Sequence, residues 1–179
     1  MITKKELRKI LIEKRKHLPL EYRQHADAQI FQKIIDSEAY QTARTIFCFV
    51  STADEINTHP VIEHGLNHGK CMVVPKCIEK GIMHAYQIHS FDDLEPGRYG
   101  ILEPKEHCKL IQPSDIDLAI IPCLSCDPQG YRIGYGGGFY DRYIQDQTFI
   151  KLIICYERLF CQELPTESFD EKSDIIIYA

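Results

Sequence analysis

The chain has 179 residues, 44% hydrophobic and 26% charged, enough for one packed domain and too few for two generous ones. No apolar run approaches the length of a membrane span. The first twenty residues break every hydrophobic stretch with charge, which argues against a secretory signal and for a cytoplasmic protein with no membrane partner.

The formal charge is −5, unevenly spread: residues 1–23 carry eight Lys/Arg against three Asp/Glu, and the remainder thirteen against twenty-three. A basic N-terminal element is joined to an acidic body. Such a body repels a nucleic-acid duplex, and no aromatic recognition motif accompanies the basic residues, so one small polyanion is the expected partner and no nucleic acid.

In chain order, Thr3-Lys4-Lys5-Glu6 is a capping box that predicts a helix from Lys4, with Leu7, Ile10, Leu11 and Leu18 as its apolar stripe. Spacings of four and seven residues set Lys4, Arg8 and Arg15 along one edge of that stripe. The edge is either a solvated basic face or a row of cations aimed at an anion. A second helix is expected after Pro19, through EYRQHADAQIFQKIID. Six short apolar runs then follow: TIFCFV (45–50), CMVVP (71–75), MHAYQI (83–88), DLAIIP (117–122), KLIICY (151–156) and DIIIY (174–178). Bounded by Gly, Pro and Asp and separated in part by helical patterns, they read as buried strands of an α/β sheet. Helices are expected after Asn57-Thr58-His59-Pro60, carrying Val61, Ile62 and Leu66, and over FYDRYIQDQ from Phe139. The eight cysteines are scattered through apolar segments such as IFCFV and LIICY, where a reduced thiol packs as a small hydrophobe. Cys123 and Cys126 form a C-x-x-C, but no second pair stands at zinc-ribbon spacing, and no metal role is assigned to them.

The segment GYRIGYGGGFYDRY (130–143) crowds five glycines, four tyrosines, two arginines and an aspartate together, unlike a flexible linker. Placed between a strand and a helix, such a loop aims backbone N–H groups and the positive end of a helix at one point, which suits a phosphate. Consecutive glycines permit positive φ and let an anion approach the backbone. Neither G-x-x-x-x-G-K-[ST] nor G-x-G-x-x-G is present, so the cation must come from elsewhere: Arg132 and Arg142 nearby, or the Lys4/Arg8 edge at a distance. Asp141, in the first turn of the helix, is either an ordinary N-terminal helix acid or a Mg²⁺ ligand beside phosphates.

RIGYGGGFYDRY (132–143), preceded by LAIIPCLSCDPQG (118–130), strongly resembles the signature of the 5-formyltetrahydrofolate cyclo-ligases, or methenyltetrahydrofolate synthetases. Weaker matches run in order along the chain: KKELRK (4–9), STADEINT (51–58), VVPK (73–76), YGILEP (99–104) and LPTESFDEKSDIII (164–177). The resemblance implies a single α/β domain over residues 1–179, a Rossmann-like layered sheet, mostly parallel and flanked by helices. It implies ATP- and Mg²⁺-dependent closure of 5-formyltetrahydrofolate to 5,10-methenyltetrahydrofolate through a phosphorylated formyl group, by a monomer or weak homo-oligomer. By position it gives ATP to Lys4, Arg8 and the loop Arg132, Ile133, Gly134, Tyr135, Gly136, Gly137, Gly138, Phe139 and Tyr140. It gives the folate to Val50 and Glu55, and Mg²⁺ to Asp141 and Asp174. Departures are Cys123 and Cys126 in Pro122-Cys-Leu-Ser-Cys-Asp127, where the family usually has glycine and phenylalanine, Phe169 in place of a histidine, and a tail, IIIYA, without the usual acid. The rival readings are a phosphosugar isomerase, needing a base but no ATP, and a non-catalytic nucleotide-binding module.

Overall fold

The computed structural model describes residues 2–179. Its helices are α1 (Lys4–Lys16), α2 (Leu20–Asp36), α3 (Glu38–Thr42), α4 (His59–Asn67) and α5 (Phe139–Ile144). The strands are β1 (Thr45–Cys48), β2 (Cys71–Glu79), β3 (Ile82–Ile88), β4 (Leu94–Pro96), β5 (Leu102–Pro104), β6 (Leu110–Ile111), β7 (Leu118–Ile121), β8 (Ser125–Cys126), β9 (Arg132–Ile133), β10 (Ile150–Cys155) and β11 (Ile175–Tyr178). Among the described residues, no helix is long and apolar enough to cross a membrane.

The main sheet runs β11-β10-β7-β1-β2-β3-β6. The first five strands pair in parallel, while β3 and β6 pair antiparallel, because β2 and β3 are joined by a tight turn at Gly81 (φ +78°) rather than by a crossover. The chain leaves β1 for β2 on one side and later returns to β7 on the other. The carboxyl ends of β1 and β7 therefore flank a topological switch point, where a crevice opens in sheets of this kind. At the opposite edge, Asp117 accepts hydrogen bonds from the N–H groups of Arg44 and Thr45, both 2.8 Å, and Asp174 accepts one from Lys151 at 2.8 Å.

The capping box forms as expected: Thr3 accepts from the Glu6 N–H, and the Glu6 carboxylate accepts from the Thr3 N–H at 2.9 Å. The helix ends at Lys16, short of Leu18, since Pro19 disfavours helical backbone just before it. Ile10 is exposed, and the stripe that packs is Leu7, Leu11 and Ile12. It does not lie on the sheet but forms a satellite core with Leu124, Ile133 and Leu164, so α1 is clamped to the segments on either side of the glycine loop. α5 stops at Ile144, because Gln145 is extended and Asp146 takes φ +59°.

Asp127 fixes the approach to the loop. It is buried, and its carboxylate accepts from the N–H groups of Gln129 and Tyr131, both at 3.0 Å, and of Leu164 at 3.2 Å. Asp127→Ala leaves those donors without their acceptor and is expected to destabilise the protein by about 2–4 kcal/mol in urea denaturation. A loss below about 0.5 kcal/mol would mean that water replaces the carboxylate freely.

Candidate functional site

A cleft of about 650 Å³ opens at the carboxyl ends of β1 and β7. Val50 and Glu55 line it after β1, the β4–β5 hairpin contributes Tyr99 and Glu103, α1 contributes Lys4 and Arg8, and the loop contributes every residue from Arg132 to Asp141. A volume of this order suits a nucleotide or a pterin-sized ligand. Fourteen of the fifteen site residues that the sequence brings forward thus share one cavity wall; Asp174 stands apart. Its carboxylate accepts from the Lys151 N–H near the amino-terminal end of β10, as that of Asp117 does from Thr45 at the start of β1, and it is not on the cleft wall.

Gly136 (φ +93°) and Gly138 (φ +67°) take the left-handed backbone that the glycine run suggests. Gly137 does not. It is constrained instead by contact, since a Cβ there would stand 2.8 Å from the Phe139 ring. Among the described residues, nothing accepts a hydrogen bond from the backbone N–H of Tyr135, Gly136, Gly137 or Gly138. Four successive N–H groups without an acceptor, on residues that line a cleft, are available as donors to an anion. The helix behind them adds little, because α5 has only six residues and its N-cap, Gly138, supplies no side-chain hydrogen bond.

The basic edge of α1 is not a solvated face. Arg8 Nε donates to the Gly134 carbonyl at 2.8 Å, and a Cβ on Gly136 would come within 3.0 Å of its guanidinium carbon. Arg15 is 3% exposed and donates to the Tyr135 hydroxyl at 3.0 Å. Lys4 pairs with Glu167 at 3.0 Å and with Asp170, and its ammonium lies 5.6 Å from the Phe169 ring centre. Burial works against the Lys4 charge, but the hydrogen bonds and charges of Asp170 and Glu167 outweigh it and raise its pKa. Arg132 has a 4% exposed side chain and pairs with Asp141, whose own side chain is 41% exposed. Arg142, the other local cation, donates to the Gly137 carbonyl at 3.1 Å and lines a second cavity behind the loop, not the cleft. Among the described residues, Arg8 is therefore the cleft cation with no carboxylate partner.

The Glu55 carboxylate accepts from the Thr52 N–H at 2.9 Å and hydroxyl at 3.1 Å, which fixes it at the cleft wall. Burial, reinforced by the charge of Glu55, pushes the Tyr140 phenol well above its usual pKa, so it stays a neutral donor. Burial, with Glu103 beside it, pushes the Cys77 thiol up to about 11, which leaves no thiolate nucleophile in the cleft at neutral pH. Tyr99, whose residue type alone carries no site signal, is 72% exposed and meets Phe139 edge to face at 6.3 Å across the cleft rim. Its signal is the Tyr99-Gly100 pair, both at positive φ, which marks a tight turn.

The profile of the 5-formyltetrahydrofolate cyclo-ligase family matches residues 1–179. The chain is 29% identical over 164 residues to a 5-formyltetrahydrofolate cyclo-ligase of Escherichia coli K12, covering 88% of this chain and 90% of that protein. It is 25% identical to the mouse enzyme of the same name, covering 98% and 93%. Among solved structures, it is similar to the 5,10-methenyltetrahydrofolate synthetase of Aquifex aeolicus, with TM-score 0.88, 26% identity, and 99% and 90% of the two chains covered.

The raised pKa of Lys4 has a definite sign. Stability from this group is complete below the unfolded value of 10.5 and is lost as pH rises through the higher folded value. The wild type should therefore lose more stability than Lys4→Met between pH 10 and pH 12, by up to about 1 kcal/mol for a pair at the cleft mouth. Parallel denaturation curves across that range would show that Glu167 and Asp170 do not hold the ammonium in solution.

Proposed function

The chain belongs to the 5-formyltetrahydrofolate cyclo-ligase family, and on that footing we propose that it closes 5-formyltetrahydrofolate to 5,10-methenyltetrahydrofolate, with ATP as co-substrate and Mg²⁺ as cofactor, acting as one domain over residues 1–179. The enzyme class is that of a ring-closing C–N ligase. The observation that carries the ATP assignment is the row of four open N–H groups, Tyr135 to Gly138, beside the carboxylate-free cation Arg8.

The formyl oxygen on N5 is a poor leaving group when N10 attacks at neutral pH. In the proposed reaction the γ-phosphoryl group passes to that oxygen and ADP departs. N10 then bonds to the formyl carbon and loses its proton, and phosphate leaves with the C–O bond electrons. The protein supplies position and charge. The open N–H groups and Arg8 receive phosphate oxygens, Lys4 and Arg132 meet charge developing on them, and Val50 and Glu55 hold the folate against the loop. Tyr140, kept neutral, donates a hydrogen bond and takes no proton. No protein nucleophile is required, in keeping with the raised pKa of Cys77.

Mg²⁺ is usually held by one or two carboxylates together with substrate phosphates, and Asp141, half exposed at the edge of the loop, fits that pattern. When bound there it would neutralise phosphate charge. Asp141 would release Arg132 to do so. Asp174 is left out of this assignment, its carboxylate being engaged by Lys151.

Incubation of the purified chain with 5-formyltetrahydrofolate and MgATP should give methenyl product with one ADP and one phosphate per turnover. Product formed equally without ATP would overturn the reading. Arg8→Ala should raise the ATP concentration needed for half-maximal rate by about 10–100-fold, the value of one or two charge-assisted hydrogen bonds, while exposed Lys9→Ala changes it by less than about 2-fold. Matching curves would put α1 outside the nucleotide site. Asp141→Asn should cost on the order of 10²-fold in turnover, with circular dichroism unchanged; parental turnover at every Mg²⁺ concentration would remove the metal assignment.

A further inference from the structure

The C-x-x-C pair of the sequence acquires a third member in the fold. Cys123 and Cys126 flank the turn from β7 into β8, and Cys155 ends the neighbouring β10. All three are buried, and their sulfur atoms lie within 4.8 Å of one another. An ion about 2.3 Å from each of three sulfurs asks them to be about 4.0 Å apart, so the cluster is close to a ligating geometry. Nothing in the proposed reaction uses it.

We infer that Cys123, Cys126 and Cys155 form a three-thiolate site for a single soft d¹⁰ monovalent ion of the Cu(I) class. The donor set selects the ion. Among the described residues, no histidine or carboxylate joins the cluster, and the nearest acid in sequence, Asp127, has its oxygens engaged by three backbone N–H groups. Zn²⁺ in a structural site takes four ligands, whereas three sulfur ligands suffice for a soft ion.

The surrounding charge points the same way. Arg15 is 3% exposed and donates to the Cys123 carbonyl at 2.5 Å; its Nε has no hydrogen-bond partner, and among the described residues no carboxylate pairs with it. A buried guanidinium without a counter-ion is costly, and an anionic metal–thiolate centre supplies one. On binding, three S–H bonds break, three sulfur–metal bonds form, three protons leave to solvent, and the site carries a net charge of −2 beside Arg15. Cys123 and Cys155 give up thiol hydrogen bonds to the Ile154 and Tyr156 carbonyls, at 3.2 and 3.3 Å, to do so. No oxidation or reduction is involved.

The test uses the full reduced chain, titrated anaerobically against Cu(I) held by a coloured chelator. The expected result is withdrawal of one equivalent with a thiolate-to-copper ultraviolet band. Cys126→Ser and Cys155→Ser should each weaken retention at least 100-fold, and Cys161→Ser and Cys108→Ser, outside the cluster, less than 2-fold. Cys126→Val, which keeps the site apolar, repeats the measurement if the serine variant unfolds. No withdrawal of copper, retention that survives in the folded cluster variants, or tighter retention of Zn²⁺ than of Cu(I) would each overturn the assignment.

Discussion

The satellite core beneath α1 is the constraint on which the rest of the site depends. Leu11 packs with Leu124 and Ile133, which precede the glycine run, and with Leu164 of the C-terminal segment. Burying apolar side chains of this size is worth roughly 1.5–3 kcal/mol each, far more than the single hydrogen bond from Arg8 to Gly134 could supply. Packing therefore places the helix, and the helix places its cations. Without that contact the glycine loop would be a set of open donors with no charge opposite them.

The cleft wall carries three cations, Lys4, Arg8 and Arg132, against six carboxylates, and most of these groups are answered locally. Lys4 faces Glu167 and Asp170, Arg132 faces Asp141, and Glu55 is held by neutral donors. Arg8 alone is answered by a carbonyl. Any pull on an anion there would come from Arg8 and the loop N–H groups at short range, not from the net charge of the lining or the formal charge of −5. The acidic body repels polyanions at long range, so a small anion would have to be held by contacts at short range.

Much of this was legible in the sequence. The capping box at Thr3 set the start of α1, and the unbroken apolar runs gave six strands of the sheet, because both signals are local. The β4–β5 hairpin is not legible there, since three-residue strands around Glu95 and Glu103 carry too little alternation to register. Gly137 illustrates another limit: its neighbours take positive φ, while its own requirement is the Phe139 ring, a tertiary contact. Asp174 shows that an acid next to an apolar run can be a cap for a neighbouring strand, which only the pairing of β10 with β11 discloses. The meeting of Cys155 with Cys123 and Cys126 likewise needs the parallel register of β7 and β10.

The pairing of Lys4 with Asp170 and Glu167 makes ligand capture at that position an exchange rather than an addition. An incoming anion gains the ammonium only as the two carboxylates give it up, so the affinity won there is a difference between two similar ion pairs. Added salt weakens both sides of such an exchange, so a contribution from Lys4 would be insensitive to ionic strength, whereas one from Arg8 would not. Departure of such an anion would be assisted by the same arrangement: Glu167 and Asp170 stand ready to pair with Lys4 again, so a highly charged product would not be trapped there.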